Sequence, residues 1–168
     1  MTSGNVVLPP RFTQRGGLDD SDIERVRKVL WLNGLRGADL EDGVQEVHLR
    51  HLQRAPVDLE SPGAWACAVA TNVALDHHRR TSRRTAIEYR LRPTTRSEAG
   101  PDVALAHAVA QALARLDPDL RAVVVLRFYA DLPVATIAAH LGIPAGTVKS
   151  RLHRAVGELR SALPEEDL

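Results

Sequence analysis

A single cysteine, Cys67, stands in 168 residues, which excludes an internal disulfide and a zinc cage built on thiolates. Aromatic residues make up only 4%, while Ala, Leu, Val and Arg dominate, a balance that favours helices over sheets. No apolar run approaches the roughly 18 residues of a membrane span. The N-terminal stretch shows no basic segment followed by an apolar one, so the expectation is a protein that stays in the cytoplasm. Charge of one sign is also missing overall, since the formal net charge is +1.

That near-neutral total is built from blocks. Residues 38–60 carry six acids (Asp39, Glu41, Asp42, Glu46, Asp58, Glu60) against two arginines. Residues 77–97 carry seven arginines against Glu88, and residues 144–160 carry Lys149, Arg151, Arg154 and Arg160 against Glu158. An acidic block followed by two basic ones points to two kinds of partner, one of them nucleic acid. Charge alone leaves a second reading open, in which all three blocks are solvated helix faces.

Hydrophobic spacing supplies the organisation. Residues 1–18, with Pro9-Pro10 and Gly16-Gly17, have no helical period and predict a flexible tail. Asp20, Ser21 and Asp22 then open a helix on Ile23, Val26 and Leu30 that stops near Gly34 or Gly37. A second helix is expected from about Asp39 to Gln53, with Val44, Val47, His48 and Leu52 on one face. Ser61-Pro62 gives a capping hydroxyl and a first-turn proline for a third, running to about Arg84, with Trp65, Val69 and Val73 at steps of four. Residues 85–103 lose the pattern and read as a linker. Four more patterns follow. They run through Leu105, Val109, Leu113 and Leu116; through Leu120, Val123, Val124 and Phe128; through Val134, Ile137 and Leu141; and through Val148, Leu152, Ala155 and Leu159. The run "VVVL" (123–126) also fits a short buried strand. The expectation is an all-α chain: a tail (1–18), a helical domain (19–84), a linker (85–103), a second helical domain (104–163) and an acidic tail (164–168).

The stretch "GIPAGTVKSRLHRA" (142–155) carries the chemistry. Gly142 and Pro144 set a turn between two helical patterns, which makes a helix-turn-helix. On its second helix Thr147, Ser150, Arg151 and Arg154 share a face away from the apolar stripe, with Lys149 and His153 beside them. Forked guanidinium groups suit guanine edges, and lysine and serine suit phosphates, at the end of the helix where a major-groove reader makes its contacts. A solvated helix in an ordinary bundle satisfies the same pattern.

The segment "LARLDPDLRAVVVLRFYADLPVATIAAHLGIPAGTVKSRLHRAVGELR" (113–160) resembles region 4 of the bacterial RNA polymerase sigma factors, in the extracytoplasmic-function (ECF) group of the sigma-70 family. "DLEDGVQEVHLR" (39–50) is similar to region 2 of the same group through Asp39, Glu41, Asp42, Val44, Gln45, Glu46, Leu49 and Arg50. "AWACAVATNVALDHHRR" (64–80) resembles the helix that follows, through Trp65, Val69, Ala70, Asn72, Asp76, Arg79 and Arg80. The sequence departs at Gly43 and His48, where the family has Leu and a core Phe, and at Thr136, where it has Glu.

The resemblance implies roles. Asp42, Gln45, Glu46 and Leu49 would dock on the coiled coil of the polymerase clamp, and region 4 on its flap. Residues 54–63 would trap a base flipped from the minus-10 element, with Asn72 near that pocket and Arg79, Arg80, Arg83 and Arg84 on phosphates. Thr147, Lys149, Ser150, Arg151 and Arg154 would read the minus-35 element. An anti-sigma factor is a further partner the resemblance allows. No catalytic residue, cofactor, metal, membrane or small-molecule substrate is expected. From the residues alone, Asn72 also fits a helix-internal hydrogen bond, Asp76 a pair with Arg79 and Arg80, and Trp65 the core. Rival readings are a stand-alone operator binder, which the acidic face at 39–50 disfavours, and an adaptor without DNA binding, which Lys149, Ser150 and Arg151 disfavour. A metal hydrolase lacks a third ligand to join His48 and His51.

Overall fold

Asp19 opens the first helix by accepting the Asp22 amide at 2.8 Å, the capping bond that its position before the apolar period predicts. The computed structural model describes residues 18–53, 61–85 and 101–162, with backbone only at 83–85, 101–107 and 162. The expected tails, the 54–60 part of the base-trapping loop and most of the expected linker lie outside these residues. Among them are seven α-helices and no strand: α1 (Asp20–Leu32), α2 (Gly37–Gln53), α3 (Pro62–Thr85), α4 (Pro101–Arg115), α5 (Pro118–Val124), α6 (Val134–Leu141) and α7 (Ala145–Ala162). Helix α4 begins at Pro101, inside the stretch expected to be linker. Proline without its N–H is at home in a first turn, so the apparent breaker is a start.

The first three helices pack on one another. Val26, Val29 and Leu30 of α1 are fully buried, and they pack on an α3 whose fully buried residues are small: Ala66, Cys67, Ala68, Ala70, Thr71 and Ala74. Small side chains let helix axes approach closely, and two glycines do the same. A Cβ on Gly63 would run into the Asp22 carboxylate, and one on Gly43 would meet the Leu30 and Leu35 side chains at 3.1 Å. The departure from Leu at position 43 is therefore matched by leucines that reach the α2 backbone. Burial pushes the Cys67 thiol's pKa up, so this cysteine is a core residue and a poor nucleophile.

On α2 the buried positions are Gly43 and Val47, with Leu40 and Val44 half-buried. Leu52, expected on the inner stripe, is 65% exposed, and His48 is also exposed. The inner face follows 40, 43, 44 and 47, and positions 48 and 52 fall one step round the helix from it.

Helices α4 to α7 form the second group, around Leu113, Leu116, Leu120, Val123, Ile137, Val148 and Ala155. Asp117 caps α5 by accepting the Asp119 amide at 3.0 Å, with Pro118 in the first turn. The ambiguous "VVVL" is helical, and α5 continues into a π-helical segment, Val125–Tyr129. Widening the turn from i→i+4 to i→i+5 shifts the register. Val125 and Leu126 are thereby buried, while Phe128, expected inside, is 67% exposed. Val109, also expected inside, is exposed, and its neighbour Ala110 is buried. Helix α6 has no side-chain cap bond; its cap residue, Pro133, has no N–H for a side chain at the third helical position, Thr136, to accept from. Gly142 ends α6 in the left-handed conformation (φ 65°), and the Ile143 amide donates to the Ala138 carbonyl at 3.1 Å.

The two groups pack against each other. Helix α3 touches α5, α6 and the π-helical segment, and α1 touches α4. One buried cluster runs through both.

Candidate nucleic-acid interface

On α7 the stripe of Val148 and Ala155 is fully buried, with Leu152 and Leu159 half-buried. This seats the helix on α5 and α6 and turns Lys149, Ser150, His153 and Arg154 to solvent. Ser150 donates to the Thr147 carbonyl at 3.0 Å, so its oxygen keeps lone pairs for an incoming donor. Arg154 pairs with Glu158 one turn on, at 2.8 Å. Such an exposed pair is worth about 0.3–0.5 kcal/mol, little hindrance to a phosphate.

Arg151 is placed differently. It is half-buried and its Nη2 donates to Asp119 Oδ2 of α5 at 3.0 Å. One edge of its fork is thus held by the protein. Asp119 has no place in the sequence reading, because no local spacing links residues 32 apart.

The expected minus-10 residues lie on α3. Arg79 and Arg80 are exposed near its C-terminal end, Arg79 pairing with Asp76 at 3.3 Å as its spacing predicts. Arg83 and Arg84 continue the same helix, and their side chains lie outside the described residues. Asn72 is half-buried and bonds outside its own helix. Its Nδ2 donates across the chain to the His140 carbonyl of α6 at 3.2 Å.

The expected protein-docking residues lie on α2. Asp42, Gln45 and Leu49 are exposed, and Glu46 is half-buried in a 2.8 Å pair with Arg50. Beside them is an apolar groove of about 320 Å³ bordered by Ile23, Val26, Val44, Val47 and His48. On the other side a hollow of about 290 Å³ between α2 and α3 mixes Asp42, Glu46 and Asp76 with Arg50, His77 and Arg80.

A cluster that sequence reasoning missed lies where the helix groups meet. Arg121 of α5 is 6% exposed and donates to three carbonyls: Asn33 (2.9 Å), Leu116 (3.0 Å) and Ala114 (3.2 Å). The Asn33 carbonyl is also 2.6 Å from His78 Nε2, which donates to it. Burial, then the nearby Arg36 charge, lower the Arg121 pKa, yet a guanidinium keeps its proton. Among the described residues no three His, Cys, Asp or Glu side chains come together as a metal site.

Comparison with known proteins covers both groups of helices. Residues 24–84 match the family described as Sigma-70 region 2, and residues 106–159 match Sigma-70, region 4. The ECF RNA polymerase sigma factor SigL of Mycobacterium tuberculosis is 39% identical over 148 residues, covering 82% of this chain and 84% of the relative. SigF of Caulobacter vibrioides, also an ECF RNA polymerase sigma factor, is 33% identical over 162 residues, covering 88% of this chain and 90% of the relative. Among solved structures, the sigma factor RpoE of Bartonella quintana, in complex with the anti-sigma factor NepR, shares the fold with a TM-score of 0.68. That match has 20% identity and covers 84% of this chain and 91% of RpoE. With both regions present in order and a relative this similar over most of its length, the chain belongs to the ECF group of the sigma-70 family of transcription-initiation factors.

Proposed function

We propose that this protein joins core RNA polymerase through the outer face of α2, directs it to promoters through α3 and α7, and opens the duplex without catalysis of its own. The observation that carries the reading is the pairing, in one chain, of an acidic face with apolar edges on α2 and a basic polar face on α7. A stand-alone operator binder needs only the second.

In this reading Asp42, Gln45, Glu46 and Leu49 meet the clamp coiled coil, acidic groups against a basic helical pair with Leu49 as the apolar anchor. Region 4 docks on the flap, and Thr147, Lys149, Ser150, Arg151 and Arg154 face the minus-35 element. Asn72, Arg79, Arg80, Arg83 and Arg84 serve the minus-10 element, the arginines on phosphates and the amide on an extruded base. The site of action is the cytoplasm, where the polymerase is. RpoE's complex with NepR supports an anti-sigma protein as a second partner. The test is run-off transcription with purified core polymerase on a promoter library. Specific transcripts that depend on the protein are expected; none from any template, with core binding absent at micromolar concentration, overturns the proposal.

A further inference from the structure

Two polar groups on the outer face of α7 are held by α7 itself: Ser150 bonds the Thr147 carbonyl, and Arg154 pairs with Glu158. Those partners travel with the helix and place nothing relative to the rest of the protein. Arg151 differs. Its Nη2 donates at 3.0 Å to Asp119 Oδ2 of α5. Among the described residues no other ion pair ties α7 to a second helix.

Both ends of this tie are rigid. Pro118, whose ring fixes its φ, precedes Asp119, and the Asp119 amide is bonded to the Asp117 carboxylate at 3.0 Å. Leu120 and Arg121 follow, both buried, with their amides on the Asp117 carbonyl at 3.0 and 2.9 Å. The Asp119 carboxylate therefore stands on a fixed backbone. Arg151 rides on a helix seated by Val148 and Ala155.

Cohesion is not what the pair supplies. Its members are 26% and 40% exposed, and ion pairs so open to water add little to stability. The packing of α5 on α7 rests instead on apolar residues such as Leu120, Val123, Val148 and Ala155, all in one buried cluster. What the pair supplies is direction. A guanidinium carries its five N–H donors in one plane, so fixing one of them at Asp119 orients the others. An arginine free to turn settles on a phosphate as readily as on a base, and phosphate contacts carry no sequence information. Holding the side chain before DNA arrives reduces the freedom lost on binding. The carboxylate also repels neighbouring phosphates, which weakens attachment to any duplex but not a grip on a base edge.

We infer that Asp119 is a positioning residue for promoter recognition: from α5 it aims the Arg151 guanidinium at a base edge of the minus-35 element, and so sets the preference at the base pair Arg151 reads. The inference rests on the sigma-factor reading, whereas the contact between the two residues does not.

The test is run-off transcription by the full chain with core RNA polymerase on a promoter library randomised in the upstream element. Sequencing the transcripts gives the base preference at each position. Arg151→Ala should flatten one position. Asp119→Ala should lower the preference at that same position about ten-fold and leave the others unchanged. Its yield from disfavoured elements should hold or rise, because a negative charge has gone. Asp119→Glu keeps a carboxylate and should restore most of the preference. In the Arg151→Ala background, Asp119→Ala should change nothing further. A merely structural role predicts an even loss at every position, whether or not Arg151 is present. Circular dichroism checks the fold, and Asp119→Asn, which keeps the side chain's shape, takes over if Asp119→Ala proves less helical. An unchanged preference at the position Arg151 controls, an even loss at all positions, or no position sensitive to Arg151 overturns the inference. Failure of wild type to yield transcripts from any template sinks the sigma reading. A wild-type preference that the Asp119 variants leave intact sinks this inference alone.

Discussion

Helices α2 and α7 are both amphipathic, and periodicity treats them alike, yet they leave different things outside. Helix α2 exposes Leu49 and Leu52, at 50% and 65%, beside Asp42 and Gln45. Helix α7 exposes Lys149, Ser150, His153 and Arg154, and no large apolar side chain among its described residues. A protein interface draws its stability from an apolar centre with a polar rim, whereas a polyanion is held by cations and hydroxyls. Each helix also carries an i,i+4 ion pair, Glu46–Arg50 on α2 and Arg154–Glu158 on α7. What separates them is the outer face, and that face decides the class of partner.

The strongest way to break the comparison is to give α2 the charge of α7. Replacing Asp42 and Glu46 by Lys sets like charges against a basic partner, which should cost several kcal/mol of core-polymerase binding. Loss of the Glu46–Arg50 pair should cost the fold no more than about 0.5 kcal/mol. Co-purification with core polymerase, with circular dichroism beside it, reads both effects. If the folded double variant still co-purifies like wild type, α2 is not the docking helix.

The next effect belongs to α7 and separates its cations. Arg151→Ala should lose about 1–3 kcal/mol at the preferred minus-35 sequence and much less elsewhere, if the guanidinium edge left free by Asp119 grips a base. Lys149→Ala should weaken every sequence alike and lower the salt slope by about one unit. Competition binding on matched and mismatched duplexes decides it. Equal losses for both variants on every duplex would reduce Arg151 to a tie between α5 and α7.

Much of this was legible in the sequence, and the remainder failed for physical reasons. The start at Ser61-Pro62 and the stop at Gly142 are local chemistry and lie where expected, and the caps at Asp19 and Asp117, which the sequence reading did not single out, are local too. Phe128 was misplaced because a π-helical turn changes the period in mid-pattern, and Leu52 because a stripe three residues wide tolerates a one-step error. Arg121 and Asp119 were missed because their partners are distant in sequence, at separations of 88 and 32. Gly43 was legible only as a departure, and the structure supplies the cause in Leu30 and Leu35. Restoring the family's leucine should therefore harm this chain. Gly43→Leu should destabilise by about 1–3 kcal/mol through overpacking, less up to about 1 kcal/mol of helix propensity. Adding Leu30→Ala should recover part of that loss, so that the pair is less destabilised than the two changes summed. Urea denaturation of the four proteins measures the coupling, and strict additivity would remove the proposed contact.

The smallest expected effect concerns what lies between the two faces. Burial holds the His78 imidazole below its ordinary pKa of about 6.5, and the charges of Arg121 from α5 and His77 from α3 add to this, while the hydrogen bond to the Asn33 carbonyl opposes it. Above about pH 6.5 the ring is neutral whether the chain is folded or not, and nothing is lost. As pH falls below that value the unfolded chain binds a proton before the folded one does, so stability declines with pH through that window. His78→Gln keeps a donor for the Asn33 carbonyl and does not titrate. The urea midpoint of wild type should fall between about pH 7.5 and about pH 5.5, and the Gln variant should show a smaller fall. An equal acid loss in His78→Gln would assign the effect to other groups and leave His78 a plain hydrogen-bond donor beneath Arg121.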